Sequence, residues 1–145
     1  MESIFEPLII TATVSPYIEG EIMPADYKID NSQSIVFSLA YGNLTDPEVF
    51  KHQDKLRNDP DFESSFSQLV DCTNVTHIDD LSLKALSVLA DRDPFGLGSQ
   101  RAFVAPHNPD YDVFRLYELL TTVHKDVVVV FKEMREAREF LDLKL

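Results

Sequence analysis

Phe66-Ser67-Gln68-Leu69-Val70-Asp71, then Asn74-Val75-Thr76-His77-Ile78, then Asp79-Asp80-Leu81-Ser82-Leu83-Lys84-Ala85-Leu86-Ser87-Val88-Leu89 is the stretch that decides the fold. Its first part is β-prone and reads as a strand. Its last part changes period. Leu81, Ala85, Val88 and Leu89 recur at i, i+4, i+7 and i+8, the spacing of one buried helix face. The spacing predicts a helix that begins near Asp79 or Asp80. A strand feeding an amphipathic helix is half of a β–α–β unit. Asp93-Pro94 ends the helix, and Phe95-Gly96-Leu97-Gly98-Ser99 reads as loop.

Downstream the pattern recurs. Arg101-Ala102-Phe103-Val104-Ala105 is a strand, and Asn108 with Pro109 is a helix start signal. Asp110 and Asp112 suit the positive end of that helix. Val113, Leu116, Leu120 and Val123 are expected as its inner stripe. Val127-Val128-Val129-Val130-Phe131 is apolar at every residue, which predicts a central strand of a parallel sheet. A last helix starts near Glu133, with Met134, Ala137 and Leu141 inward.

Upstream, Tyr27-Lys28-Ile29-Asp30 and Ile35-Val36-Phe37-Ser38-Leu39-Ala40-Tyr41 flank the turn signal Asn31-Ser32-Gln33-Ser34 and read as a hairpin. Thr45 and Glu48 have capping-box spacing, and a helix follows to about Asn58. The order is strand, strand, helix, then strand–helix three times. It predicts an α/β fold with a mixed, mostly parallel sheet, an N-terminal hairpin and four helices. Residues 1–25 read as an N-terminal extension whose Leu8–Val14 run suits an edge strand. Residues 26–145 read as a single domain.

The chain has 145 residues, 44% of them hydrophobic, and a net charge of −12. Such acidity repels phosphate backbones and anionic membrane surfaces, so nucleic acid is not an expected partner. Cys72 is the only cysteine, so an internal disulfide is impossible and a reducing cytoplasm is expected. No run of about 18 apolar residues exists to span a membrane, and no basic region precedes Leu8–Ile10 as in a secretory signal.

Chemistry-bearing motifs are few. Gly96-Leu97-Gly98 follows a helix and precedes a strand, the wrong order for a dinucleotide cradle. His107, Asp110 and Asp112 offer metal-ligand atoms, but the two aspartates lie about 200° apart around a helix. Cys72 stands beside Asp71, which discourages a thiolate, so it reads as a core residue. His77 lies in the linker before the second helix and fits a plain solvated loop. No nucleophile or acid–base set assembles, so neither catalysis nor a cofactor or metal is expected.

The stretch Leu69-Val70-Asp71-Cys72-Thr73-Asn74-Val75-Thr76-His77-Ile78-Asp79-Asp80-Leu81-Ser82 resembles the central motif of STAS domains, the anti-sigma-factor antagonist class. There a strand ending in Leu-Asp leads to Gly-Val-Thr and Asp-Ser-Ser-Gly-Leu-Gly. Tyr27-Lys28-Ile29-Asp30, Gly42-Asn43-Leu44-Thr45, Val104-Ala105-Pro106 and the Val130-Phe131 to Ala137 to Leu141 pattern extend the resemblance to the bacterial SpoIIAA-like family. The resemblance implies helices largely on one side of a small sheet, and a role in protein interaction. It also implies a phosphorylated serine at the start of the second helix. The two serines fall on Asp80 and Leu81, and the glycine on Ser82, so the usual acceptor is missing. Asp80 reads as a fixed stand-in for phosphoserine, or Asp79 or Asp80 as a plain helix cap worth about 1 kcal/mol.

Two binding functions follow as expectations. One is a protein partner recognised around His77, Asp79, Asp80, Leu81 and Ser82, without the serine switch. The other is a small hydrophobic, lipid-like ligand held under the helix at 109–125 by Phe95, Phe103, Tyr111, Phe114 and Tyr117. Pairing of Leu8–Val14 edges would give a homodimer.

Overall fold

The computed structural model describes residues 25–124 and 126–143. Strand β1 (Ala25–Asp30) turns back through a tight loop into β2 (Ile35–Asn43). Asp30 makes that turn, its Oδ1 accepting from the Ser32 N–H at 2.9 Å and the Ser32 hydroxyl at 2.6 Å. Helix α1 (Asp46–Arg57), strand β3 (Ser67–His77), helix α2 (Leu83–Asp91) and strand β4 (Gln100–Val104) follow. Helix α3 (Asp110–Thr122), strand β5 (Val127–Phe131) and helix α4 (Met134–Phe140) complete the order. The five strands lie in the order β1-β2-β3-β4-β5, with β1 antiparallel to β2 and every later pair parallel.

Alternation along the strands sorts the core into two layers. Ala40, Val70, Cys72, Phe103, Val128 and Val130 face α2 and α3. Val36 faces Leu56 of α1 on the same side. Ile35, Phe37, Leu39, Leu69, Ala102 and Val104 face the opposite side, where Ala137 of α4 packs. Among the described residues, three helices thus cover one face and one covers the other.

Three expectations change. First, among the described residues only β4 pairs with β5, which makes it an edge strand rather than a central one. Its residues are apolar on both faces because α3 covers one face and α4 the other. Glu118 of α3 partly closes the open edge, its Oε1 accepting from the Val130 N–H at 3.0 Å. Second, the buried stripe of α3 is Phe114, Tyr117 and Thr121. Leu116 is 38% exposed, Leu119 60% and Val123 80%, while Val113 and Leu120 sit partly buried at the flank. The aromatic pair turns inward because its rings pack onto the large apolar ring of Phe103 beneath it, with centroids at 5.4 Å and 5.7 Å. Third, α2 begins at Leu83, and neither Asp79 nor Asp80 caps it. Leu81 N–H bonds back to Ile78 at 3.0 Å, which puts both aspartates inside a turn ahead of the helix. The Leu8–Val14 segment lies outside the described residues.

Candidate functional site

Two places gather the residues singled out in the sequence. The first is the end of β3 and the start of α2. His77, Asp79, Asp80 and Ser82 are exposed there. Leu81 is not available to a partner, because it turns inward and is buried among Val75, Ile78 and Ala85. Asp80 Oδ2 accepts from the Asn43 side-chain amide at 3.3 Å, tying the turn to the end of β2. His77 shares a 3.2 Å contact between its Nδ1 and the Thr76 hydroxyl.

Ser82 is the residue that caps α2. Its Oγ accepts from the Ala85 N–H at 3.0 Å. Its N–H and hydroxyl both donate to Asp46, at 2.7 Å to each carboxylate oxygen. A helix start leaves N–H groups unpaired, and a serine oxygen satisfies one of them. Here the same serine is also held by the first turn of α1. Two helix N-termini are thereby joined through one carboxylate, which also suits the positive end of both dipoles. Sequence reasoning missed Asp46, because nothing in a single chain shows which carboxylate faces Ser82.

The second place is a cavity of about 100 Å³ between the sheet and α1, α2 and α3. Phe95, Phe103, Phe114 and Tyr117 line it. Tyr111 does not; it stands at the periphery, where Lys132 lies 4.7 Å from its ring centroid. The cavity also reaches beyond the 109–125 helix, since Val49, His52, Gln53 and Leu56 of α1 and Leu86 and Leu89 of α2 wall it.

Its polar members are unevenly satisfied. Gln68 donates to the Ser38 hydroxyl at 3.0 Å. Gln53 donates its amide N–H to the Leu89 carbonyl at 2.9 Å, but its Oε1 is buried without a hydrogen bond, as is His52 Nε2. Burial holds His52 neutral, its pKa lowered to about 4. Arg101, also in the wall, is committed elsewhere. It pairs with Asp93, lies 4.0 Å from Asp126 and stacks over Phe95 at 4.9 Å. Burial pushes the Asp93 carboxyl up to about 6 despite that arginine.

Cys72 lines the same cavity as a fully buried thiol, raised well above its ordinary pKa by burial and by Asp71 and Asp110. It stays protonated at neutral pH, so it is a packing residue rather than a nucleophile. Among the described residues no three His, Cys, Asp or Glu side chains converge as metal ligands, and no helix is long and apolar enough to cross a membrane.

A crystal structure from Shewanella loihica PV-4, of an uncharacterized protein from the DUF3478 family with a SpoIIAA-like fold, is similar to this chain. The likeness covers 84% of this chain and 97% of that one, at 20% identity and a TM-score of 0.53. No family model and no curated protein matches the sequence. The chain has a SpoIIAA-like fold.

Proposed function

We propose that this SpoIIAA-like domain is a non-catalytic binding module. It engages a protein partner through the exposed surface at His77, Asp79, Asp80 and Ser82, and no phosphoserine switch governs the contact. The observation that carries this reading is the Asp46–Ser82 link. The Ser82 hydroxyl proton is already donated to a carboxylate at 2.7 Å, and its oxygen already caps α2. A phosphate there would add roughly −1.5 to −2 charges beside Asp46, which opposes the modification by like-charge repulsion.

Incubation with kinases of the native host, followed by phosphopeptide mass spectrometry, is expected to leave Ser82 unmodified; phosphate on Ser82 would overturn the loss of the switch. For the surface, pull-downs should compare the unaltered protein with Asp79→Lys/Asp80→Lys and with Glu139→Lys on α4. A partner retained by the Glu139 variant and lost by the double variant supports the surface. A partner retained by both refutes it.

A second reading is favoured by the cavity itself. Its aromatic wall suits a small apolar ligand, and its volume points to a compact molecule, since drug-sized ligands fill roughly 300–1,000 Å³. Native mass spectrometry of gently purified protein is expected to show a small co-purified mass, and consistently clean apo protein would count against it.

A further inference from the structure

We propose that the cavity beneath α1, α2 and α3 is a site for a compact, uncharged molecule carrying one hydroxyl, about the size of a phenol ring. The proposal rests on the ligand reading above and gives it a chemistry.

Size sets the first limit. A volume of about 100 Å³ suits a compact molecule on the scale of one six-membered ring.

Charge sets the second limit. Among the described residues the charged group in the wall is Arg101, with a side chain only 4% exposed and two carboxylates already facing it from Asp93 and Asp126. His52 is held neutral. An anion would find no uncommitted cation in the wall, and a cation would meet the Arg101 guanidinium. Moving an unpaired charge into such a place is costly, so the ligand is neutral.

Hydrogen bonding sets the third. Gln53 is 8% exposed, and its Nε2 is fixed on the Leu89 carbonyl, so the unpartnered atom is Oε1, an acceptor. Most buried acceptors find a donor, because an unpaired one costs about 1–3 kcal/mol. His52, one residue before on the same helix, lines the same cavity with its Nε2 unpaired. A ligand hydroxyl satisfies the Gln53 oxygen by donating its proton to it. The ring then lies among Leu56, Leu86, Phe103 and Phe114.

Phenol and toluene are the probes, since they share a shape and differ in the donor. Each is titrated into the unaltered protein and into Gln53→Met, with methyl and amide NMR shifts of cavity-lining residues as the readout. The expected result is that phenol binds the unaltered protein at least as tightly as toluene. Gln53→Met should weaken phenol by about two- to tenfold, one neutral hydrogen bond's worth, and leave toluene unchanged or tighter. If toluene binds about tenfold more tightly than phenol and Gln53→Met changes neither, the hydroxyl assignment fails while the ligand reading stands. If neither probe moves the cavity resonances, both fail and the space holds water alone. Should Gln53→Met not fold, the phenol-to-toluene ratio on the unaltered protein decides the matter.

Discussion

Arg101→Met is the change that most directly tests the electrostatics of the core. Arg101 and Asp93 have side chains 4% and 5% exposed, and Asp126 is 11% exposed. Methionine keeps most of the length and the contact with Phe95 but removes the charge. Two buried carboxylates then face each other without a cation. Removing one partner of a buried pair costs about 3–5 kcal/mol, a large part of the 5–15 kcal/mol typical of a whole domain. The carboxylates can relieve part of this by sharing a proton. In the unaltered protein Asp93 gives up its proton above about pH 6. In the variant it keeps that proton to higher pH. Wherever the folded variant holds one proton more, its deficit grows by about 1.4 kcal/mol per pH unit. Between pH 6 and pH 8 the deficit should therefore grow by up to about 3 kcal/mol. Urea unfolding followed by circular dichroism at pH 5, 6, 7 and 8 measures it. A deficit below about 1 kcal/mol, or one independent of pH, would refute the reasoning. Adding Asp93→Asn to the variant should recover stability most at pH 8.

Further expectations concern the other elements. Phe114→Ala should cost about 3–5 kcal/mol and Val123→Ala less than about 0.5 kcal/mol, and a reversed order in thermal melts would restore the expected Val113, Leu116, Leu120 and Val123 stripe to the core side of α3. Asp46→Ala should cost about 1 kcal/mol and speed amide exchange at the start of α2, with Ser82→Ala costing a similar amount. His52 should titrate near pH 4 by NMR, well below an ordinary histidine. Because its folded pKa lies below its unfolded one, it stabilises the fold above about pH 6.5, and that contribution fades as pH falls toward 4; a midpoint near 6.5 would contradict its burial. Asp93 has the opposite sign. Its raised pKa favours the fold most below about pH 4, and that advantage is lost as pH rises through about 6, so Asp93→Asn should gain on the unaltered protein across that window in urea titrations.

The hairpin, the four helices and the parallel pairing were readable because each rests on a local period or a turn signal. The failures share a cause. Val127–Phe131 announces burial on both faces, but burial on two faces is set by the helix layers, and edge position by hydrogen-bond partners. Helix α3 carries two interleaved apolar sets, and only the bulk of Phe103 opposite decides that Phe114 and Tyr117 turn inward. Asp79 and Asp80 are good caps by type, yet the turn closed by Ile78 and Leu81 uses them first. Of the aromatics expected around a pocket, four line the cavity, and Tyr111 misses because it leans to Lys132. Gln53 shares a helix face with Val49 and Leu56 by spacing, but neither its unpaired oxygen nor the unpaired nitrogen of His52 carried a signal in the sequence, since an unsatisfied atom is defined by neighbours the chain supplies from far away.

The strand order also bears on how the chain is made. Every strand of the sheet hydrogen-bonds to the one that precedes it in sequence, from β1 through β5. During synthesis each new strand therefore meets a template that has already left the ribosome, and no strand must wait for a later one to be inserted between neighbours. The sheet can grow in one direction at the pace of translation. Its exposed growing edge at each stage is the one the next β–α unit covers, until Glu118 and β5 close the series.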